Sequence, residues 1–227
     1  MARKFYEGGR KVVRVNLRGC GSGAGLSKKP YCAGSSGDVR KVLQDLKLEA
    51  PRSEIVLIGF SLGGNIALKL AGEMGSDAEK WVKRFIAVSA PLDLFQSVKK
   101  IQENPIYHFY YLNRIKSQAK RWNPHKIRSL YEFDDQITAP LSGYGCAREY
   151  YQECSSIRFL PNIRQSARLL FAEDDPFISL DPIRDVLLPE EVEVAVTKRG
   201  GHMGFLGSGF KEKSLYWMDE QLLLWSQ

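Results

Sequence analysis

Apolar residues run along this chain in two rhythms, one continuous and β-branched, the other spaced at intervals of three and four. Ile55 to Phe60 is an unbroken apolar run of buried-strand character. It leads straight into a small-residue helical pattern containing Ile66, Leu68, Leu70 and Ala71, which Gly75 ends. The strand pattern returns from Arg84 until Pro91 stops it, from Arg168 until it ends on the carboxylates of Asp174 and Asp175, and from Val192 to Thr197. Upstream, Arg3 to Glu7 reads as the last turn of a helix closed by Gly8 and Gly9, with Lys11 to Arg18 as a strand bounded by it. Gly37 to Leu48 brings Val39, Val42, Leu43 and Leu46 to one helical face, with Asp38 placed to cap it. Ser214 to Trp225 predicts a closing amphipathic helix with Leu215, Met218, Leu222 and Trp225 on one face. Strands alternating with helices predict the α/β class, a mostly parallel sheet flanked by helices, as a single domain over residues 1–227.

From Leu92 to about Ile163 the rhythm changes to aromatic-rich, mixed-charge helical stretches. This segment, residues 92–163, is expected to be a helical cap inserted between sheet strands. Tyr107, Phe109, Tyr110 or Tyr111 would then line an apolar pocket, the alternative being that they form the insertion's own core. His108 and His125 fall in it with no paired carboxylate nearby in sequence and are read as structural or exposed.

With 44% hydrophobic residues among 227, the chain can bury a core without staples. Cys20, Cys32, Cys146 and Cys154 have neither metal-ligand nor Cys-x-x-Cys spacing, so neither a zinc site nor a disulfide framework is expected. No cofactor is implied. No apolar run reaches the length of a membrane span and the first residues lack a signal-peptide core, which points to the cytoplasm. The formal charge of +7 is spread over Arg10 to Arg18, Lys99 to Arg128 and Arg158 to Lys213. That spread reads as a solvated surface with at most weak attraction to a membrane surface, and not as a nucleic-acid site. The glycine-rich stretch Gly19 to Leu26 lacks a following Gly-Lys-Ser/Thr and fails the Gly-x-Gly-x-x-Gly register, so it reads as a loop that lets substrate approach.

The chemistry-bearing residues stand at strand ends. Gly59-Phe-Ser61-Leu-Gly63 lies where a strand turns into a helix, the setting of a nucleophile elbow. Glycine is expected at 59 and 63 because a Cβ at either would collide with neighbouring backbone. The Leu62 N–H and the helix N-terminus would face a developing oxyanion above Ser61. A serine attacks at neutral pH only if a base takes its proton, and the base needs a carboxylate to set its tautomer. His202, between Gly200-Gly201 and Met203-Gly204, supplies the base. Asp175, directly before the turn-forming Pro176, is preferred over Asp174 as the carboxylate. The order Ser61, Asp175, His202 is that of α/β-hydrolases.

Further stretches resemble one branch of that fold, the group containing YheT-like esterases, EMB8-like proteins and ABHD1/ABHD3-type lipid hydrolases. They are Asn16-Leu-Arg-Gly-Cys20, Gly59-Phe-Ser-Leu-Gly-Gly-Asn65, Phe133 to Tyr144 with Glu149-Tyr-Tyr151, Leu160-Pro-Asn-Ile163, Asp174-Asp-Pro-Phe177 and Gly200 to Gly207. The resemblance implies the triad roles for Ser61, Asp175 and His202, and hydrolysis of a small-molecule ester or lipid, acylglycerol-like esters included. Members of the group carry upstream strands and a His-Gly loop that supplies a second oxyanion donor, and this sequence begins after that loop. The resemblance therefore implies an open slot or distorted pairing between the Val12–Leu17 and Ile55–Phe60 strands, and a marginally stable, aggregation-prone chain. It leaves a rival reading, a catalytically impaired fragment acting at most as a binding module.

Overall fold

The computed structural model describes residues 1–122, 126–207 and 215–227, so His125 and Ser214 lie outside the described residues. Four parallel strands, β1 (Val56–Phe60), β2 (Arg84–Val88), β3 (Ala167–Ala172) and β4 (Val192–Thr197), pair in chain order. The register sets Gly59 opposite Ala87 and Leu170 opposite Ala195. Because side chains alternate along a strand, each strand serves two cores. Phe85, Ala87, Leu169 and Phe171 face one side, where they meet Val39 and Leu43 of α2 (Ser36–Glu49) and Ile66 and Leu70 of α3 (Leu62–Met74). Ile86, Val88, Leu170 and Ala172 face the other, against Phe5 of a short helix α1 (Ala2–Glu7) and Leu222 and Trp225 of the closing helix (Trp217–Trp225). Cover on both faces explains why the central strands β2 and β3 read as nearly continuous apolar runs, while edge strand β4 alternates and leaves Val194 and Val196 exposed.

Between β2 and β3 the described chain is helical: α4 (Leu94–Glu103), α5 (Pro105–Gln118), α6 (Leu130–Phe133), α7 (Ala139–Ser142) and α8 (Ala147–Cys154). Asn104 caps α5, its Oδ1 accepting from the Ile106 and Tyr107 N–H groups, and Pro105 fits the first turn, where its missing N–H is not needed. Asn65 of α3, fully buried, ties this helical segment to the centre of the fold: its Nδ2 donates to the Cys154 carbonyl (2.9 Å) and its Oδ1 accepts from the Ser156 N–H (2.8 Å). In the Phe133–Tyr151 block, half-buried Asp134 accepts from the Tyr151 hydroxyl (2.7 Å) and Asp135 from the Ala147 N–H (2.8 Å). All four cysteines are free thiols.

Three expectations are corrected. Lys11 to Arg18 is not a strand: the segment forms no ladder, and Val12, Val13 and Val15 are 36, 48 and 40% exposed. An alternating pattern selects a face, but a strand needs a neighbour's N–H and C=O groups, and among the described residues β1 pairs only with β2. Asp38 does not cap α2. It sits inside the first turn, where its Oδ2 accepts from Arg18 Nε at 2.9 Å. In the closing helix Leu222 and Trp225 are buried and Met218 packs beside them, whereas Leu215 precedes the helix and is 72% exposed. No helix among the described residues is long and apolar enough to cross a membrane.

Candidate active site

Ser61 occupies the junction of β1 and α3 with φ 48° and ψ −122°. That left-handed backbone is unfavourable for a residue with a Cβ by about 1–3 kcal/mol, and the surrounding contacts must hold it. They do: the Ser61 N–H donates to the Val88 carbonyl (2.8 Å), and its own carbonyl accepts from Gly64 (2.8 Å) and Asn65 (3.2 Å). Gly59 is required because a Cβ there would lie 2.3 Å from the Gly63 carbonyl oxygen. Gly63 is not required on that ground, since a Cβ would meet nothing within 4 Å; the second close approach belongs to Gly64, whose Cβ would lie 2.9 Å from that of Ala90. The Leu62 N–H stands in the first turn of α3, where a helix offers it no internal acceptor.

The structure brings Ser61, His202 and Asp175 together from three strand ends. His202 Nε2 lies 2.8 Å from Ser61 Oγ, and His202 Nδ1 lies 3.0 Å from Asp175 Oδ2. The imidazole is 17% exposed and the Asp175 side chain 1%. The Asp175 carboxylate is anchored separately, Oδ1 accepting from the Phe177 (2.8 Å) and Ile178 (3.1 Å) N–H groups in the turn after Pro176. A carboxylate fixed on one oxygen by backbone can present the other to an imidazole in a single orientation. Asp174 is directed elsewhere: its Oδ1 accepts from the Gly200 and Gly201 N–H groups, both at 2.8 Å, at the turn that carries His202.

Two other residues at the site were given no role by the linear pattern. Lys100 of α4 donates from Nζ to the carbonyls of Asp175 and Ile178, both at 2.7 Å, clamping the carboxylate turn to α4. Phe177 packs edge-on against the His202 ring (4.7 Å between centroids) and receives Tyr107 (4.7 Å) and Tyr111 (5.4 Å) from α5. Of the four aromatics expected near the pocket, these two reach the Phe177 side, while Phe109 and Tyr110 turn away and are 72 and 55% exposed. The glycine-rich loop after Arg18 is folded into a short turn at Gly21–Gly23. It borders a cleft with Val15, Leu17, Asp38 and Val42 whose lining includes neither Ser61 nor His202. His108, half-buried, lies away from this constellation on α5, with no hydrogen-bond partner for its Nε2 among the described residues. No cluster of three metal-ligating side chains occurs among the described residues.

A parallel sheet with helices on both faces, a strained serine at a strand-to-helix turn, and histidine and carboxylate on loops after later strands define the class. Residues 1–208 match the family model described as the alpha/beta hydrolase fold, and the chain belongs to that family. Within it the chain is similar to the YheT protein of Escherichia coli, 30% identical over 94% of this chain and 66% of that one. It is also similar to the monoacylglycerol lipase of Saccharomyces cerevisiae, 32% identical over 88% of this chain and 48% of that one, and to mouse phospholipase ABHD3, 25% identical over 93% and 54%. The chain thus spans between about half and two thirds of the length of these curated relatives. Among solved structures, the metagenome-derived lipolytic enzymes LipS and LipT share the fold at a TM-score of 0.55 and 15% identity, over 99% of this chain and 83% of that one.

Proposed function

We propose that the chain is a serine hydrolase of carboxylic esters, short-chain or acylglycerol-like, acting through an acyl-enzyme on Ser61. The observation that carries this reading is the unbroken hydrogen-bond path from Ser61 Oγ through His202 to Asp175. His202 Nε2 takes the hydroxyl proton as Oγ attacks the ester carbonyl and returns it to the departing alkoxide; Asp175 holds Nδ1–H and stabilises the imidazolium. Water then repeats the sequence on the acyl-serine. The Leu62 N–H and the positive end of α3 face the oxyanion. In the same reading residues 92–163 are a cap, which the Tyr107 and Tyr111 contacts on Phe177 beside His202 support. The esterase and lipase names of the relatives support the substrate class.

The test is hydrolysis of p-nitrophenyl butyrate. Turnover by the wild-type chain that falls by at least about four orders of magnitude in Ser61→Ala supports the reading, and equal rates would remove it.

A second reading, the same site with little turnover, draws on the edge of β1 that no strand among the described residues pairs, and on the Leu62 N–H as the oxyanion donor at the elbow. Lacking one such donor lowers the rate about 10²–10³-fold. Labelling of Ser61 by a fluorophosphonate without measurable turnover would select this second reading.

A further inference from the structure

The aromatic stripe of α5 divides between two environments. Its Tyr107 and Tyr111 rings turn toward Phe177, whereas Ile106, Phe109 and Tyr110, neighbours at i, i+3 and i+4, are 77, 72 and 55% exposed. Scattered single apolar residues are normal on a protein surface; an adjoining set on one helical face, beside a functional site, marks an interaction surface. The charge along this part of the chain has one sign. From Pro105 to Arg128 it carries Arg114, Lys116, Lys120, Arg121, Lys126 and Arg128 and neither Asp nor Glu, the nearest acids in sequence being Glu103 and Glu132. Arg114, exposed, continues the Ile106–Tyr110 face one turn on. A nucleic acid would use the cations and leave the apolar ridge uncovered. A second copy of a chain with formal charge +7 would cover the ridge and bring like charges together. An anionic lipid surface satisfies both, taking apolar side chains into the acyl boundary and cations onto headgroup phosphates.

We propose that the outer face of α5, Ile106, Phe109 and Tyr110 with Arg114 beside them, docks the protein on an anionic lipid surface and so sets the Ser61 end of the sheet beside the layer that holds its ester. Only the direction of substrate supply rests on the ester-hydrolase reading. Docking itself is measured without turnover, on the Ser61→Ala chain.

The experiment is co-sedimentation of the full chain with phosphatidylcholine–phosphatidylglycerol vesicles and with pure phosphatidylcholine vesicles. Expected are binding to the mixed vesicles that weakens as salt is raised, and binding at least about tenfold weaker in the combined Ile106→Ser, Phe109→Ser, Tyr110→Ser variant. Charge reversal by Arg114→Glu with Lys116→Glu should weaken binding as well. Ile106 and Phe109 face solvent and Tyr110, 55% exposed, meets Tyr111 edge-on at 5.3 Å, so the thermal midpoint should fall only slightly and any hydrolysis of a short water-soluble ester should stay as in the unsubstituted chain.

Undiminished vesicle binding by the triple variant overturns the proposal, as does equal binding to pure phosphatidylcholine. Binding to an RNA oligomer that matches vesicle binding and ignores the triple substitution would replace it with a general polyanion surface. A dimer that the triple substitution dissolves would replace it with self-association. Vesicle binding by a chain that hydrolyses no ester supports docking while removing the ester reading.

Discussion

Two valine-rich stretches, Lys11-Val-Val-Arg-Val-Asn-Leu17 and Val192-Glu-Val-Ala-Val-Thr197, have nearly the same rhythm and different fates. The second is β4, paired residue by residue with Ala167–Ala172; the first forms no ladder. Side-chain exposure does not separate them, since Val194 and Val196 are 36 and 45% exposed, much as Val12, Val13 and Val15 are. What differs is the destination of the backbone groups. β3 offers β4 a row of N–H and C=O partners, while among the described residues nothing offers the same to residues 11–17. The difference teaches that β propensity states a willingness to pair, and the partner decides. It also locates the candidate site, because Asp175 follows β3 and His202 follows β4, and the ladder between those strands brings the two loops together.

The largest expected effect tests the paired end. Asp175→Asn should lower ester turnover by about 10⁴-fold with little change in thermal midpoint, because the amide favours the wrong histidine tautomer while its carbonyl can still accept from Phe177 and Ile178. A larger loss from Asp174→Asn would exchange the two roles. Next is the contrast between the valine stretches themselves. The Ala167 N–H donates to the Glu191 carbonyl and the Glu173 N–H to that of Thr197, so the ladder's alternation turns the Ala195 N–H toward β3. Ala195→Pro should therefore destabilise the chain by about 3 kcal/mol or more and Val13→Pro by no more than about 0.5, measured by urea unfolding. Similar losses would mean that residues 11–17 are paired in solution.

The helical segment between β2 and β3 supplies a pH-dependent test of how firmly its Phe133–Tyr151 block is held. Burial pushes the Asp134 carboxyl up from 3.8 to about 6. Between those values the folded chain keeps a proton the unfolded chain has lost, so this contribution is fully present below the lower value and is lost as pH rises through the upper one. The decline amounts to no more than about 3 kcal/mol. Asp134→Asn should remove it, and a wild-type-minus-variant stability difference that stays constant from about pH 4 to about pH 7 would mean that water reaches this group. The smallest effect is expected at the neighbouring loop. Asp174→Asn weakens the acceptor for Gly200 and Gly201 and should reduce turnover about tenfold through a less well placed His202. An unchanged rate would mean the turn holds without it.

Much of the fold was legible because it follows from local rules. Continuous apolar runs named β1 to β3, a valine alternation named β4, the 3.6-residue period named α2 and α3, and the glycine and serine spacing at residues 59–63 named the elbow. Each signal lies within a few residues of the feature it describes. The order Ser61, Asp175, His202 was legible because each residue sits at the end of such a run. The task of Asp174 was not, since it depends on where the β3–β4 register sets the Gly200–Gly201 turn that its carboxylate accepts from. Lys100 reaches the Asp175 turn across 75 residues of chain and Asn65 reaches Cys154 across 89, and no local pattern announces either.

The sequence by itself thus determined the class of sheet, the strand-to-helix elbow and the identity of the residues that meet above it. Steric demands such as the missing Cβ at Gly59 and the apolar content of a doubly covered strand are written residue by residue. Only the tertiary structure decided that Lys11–Leu17 finds no partner strand among the described residues, that Gly64 and not Gly63 marks the second close approach, and that the α5 stripe splits into site-facing and solvent-facing halves. Those outcomes depend on what stands opposite each residue in space, and packing and hydrogen-bond partners are properties of pairs that a single stretch of chain does not contain.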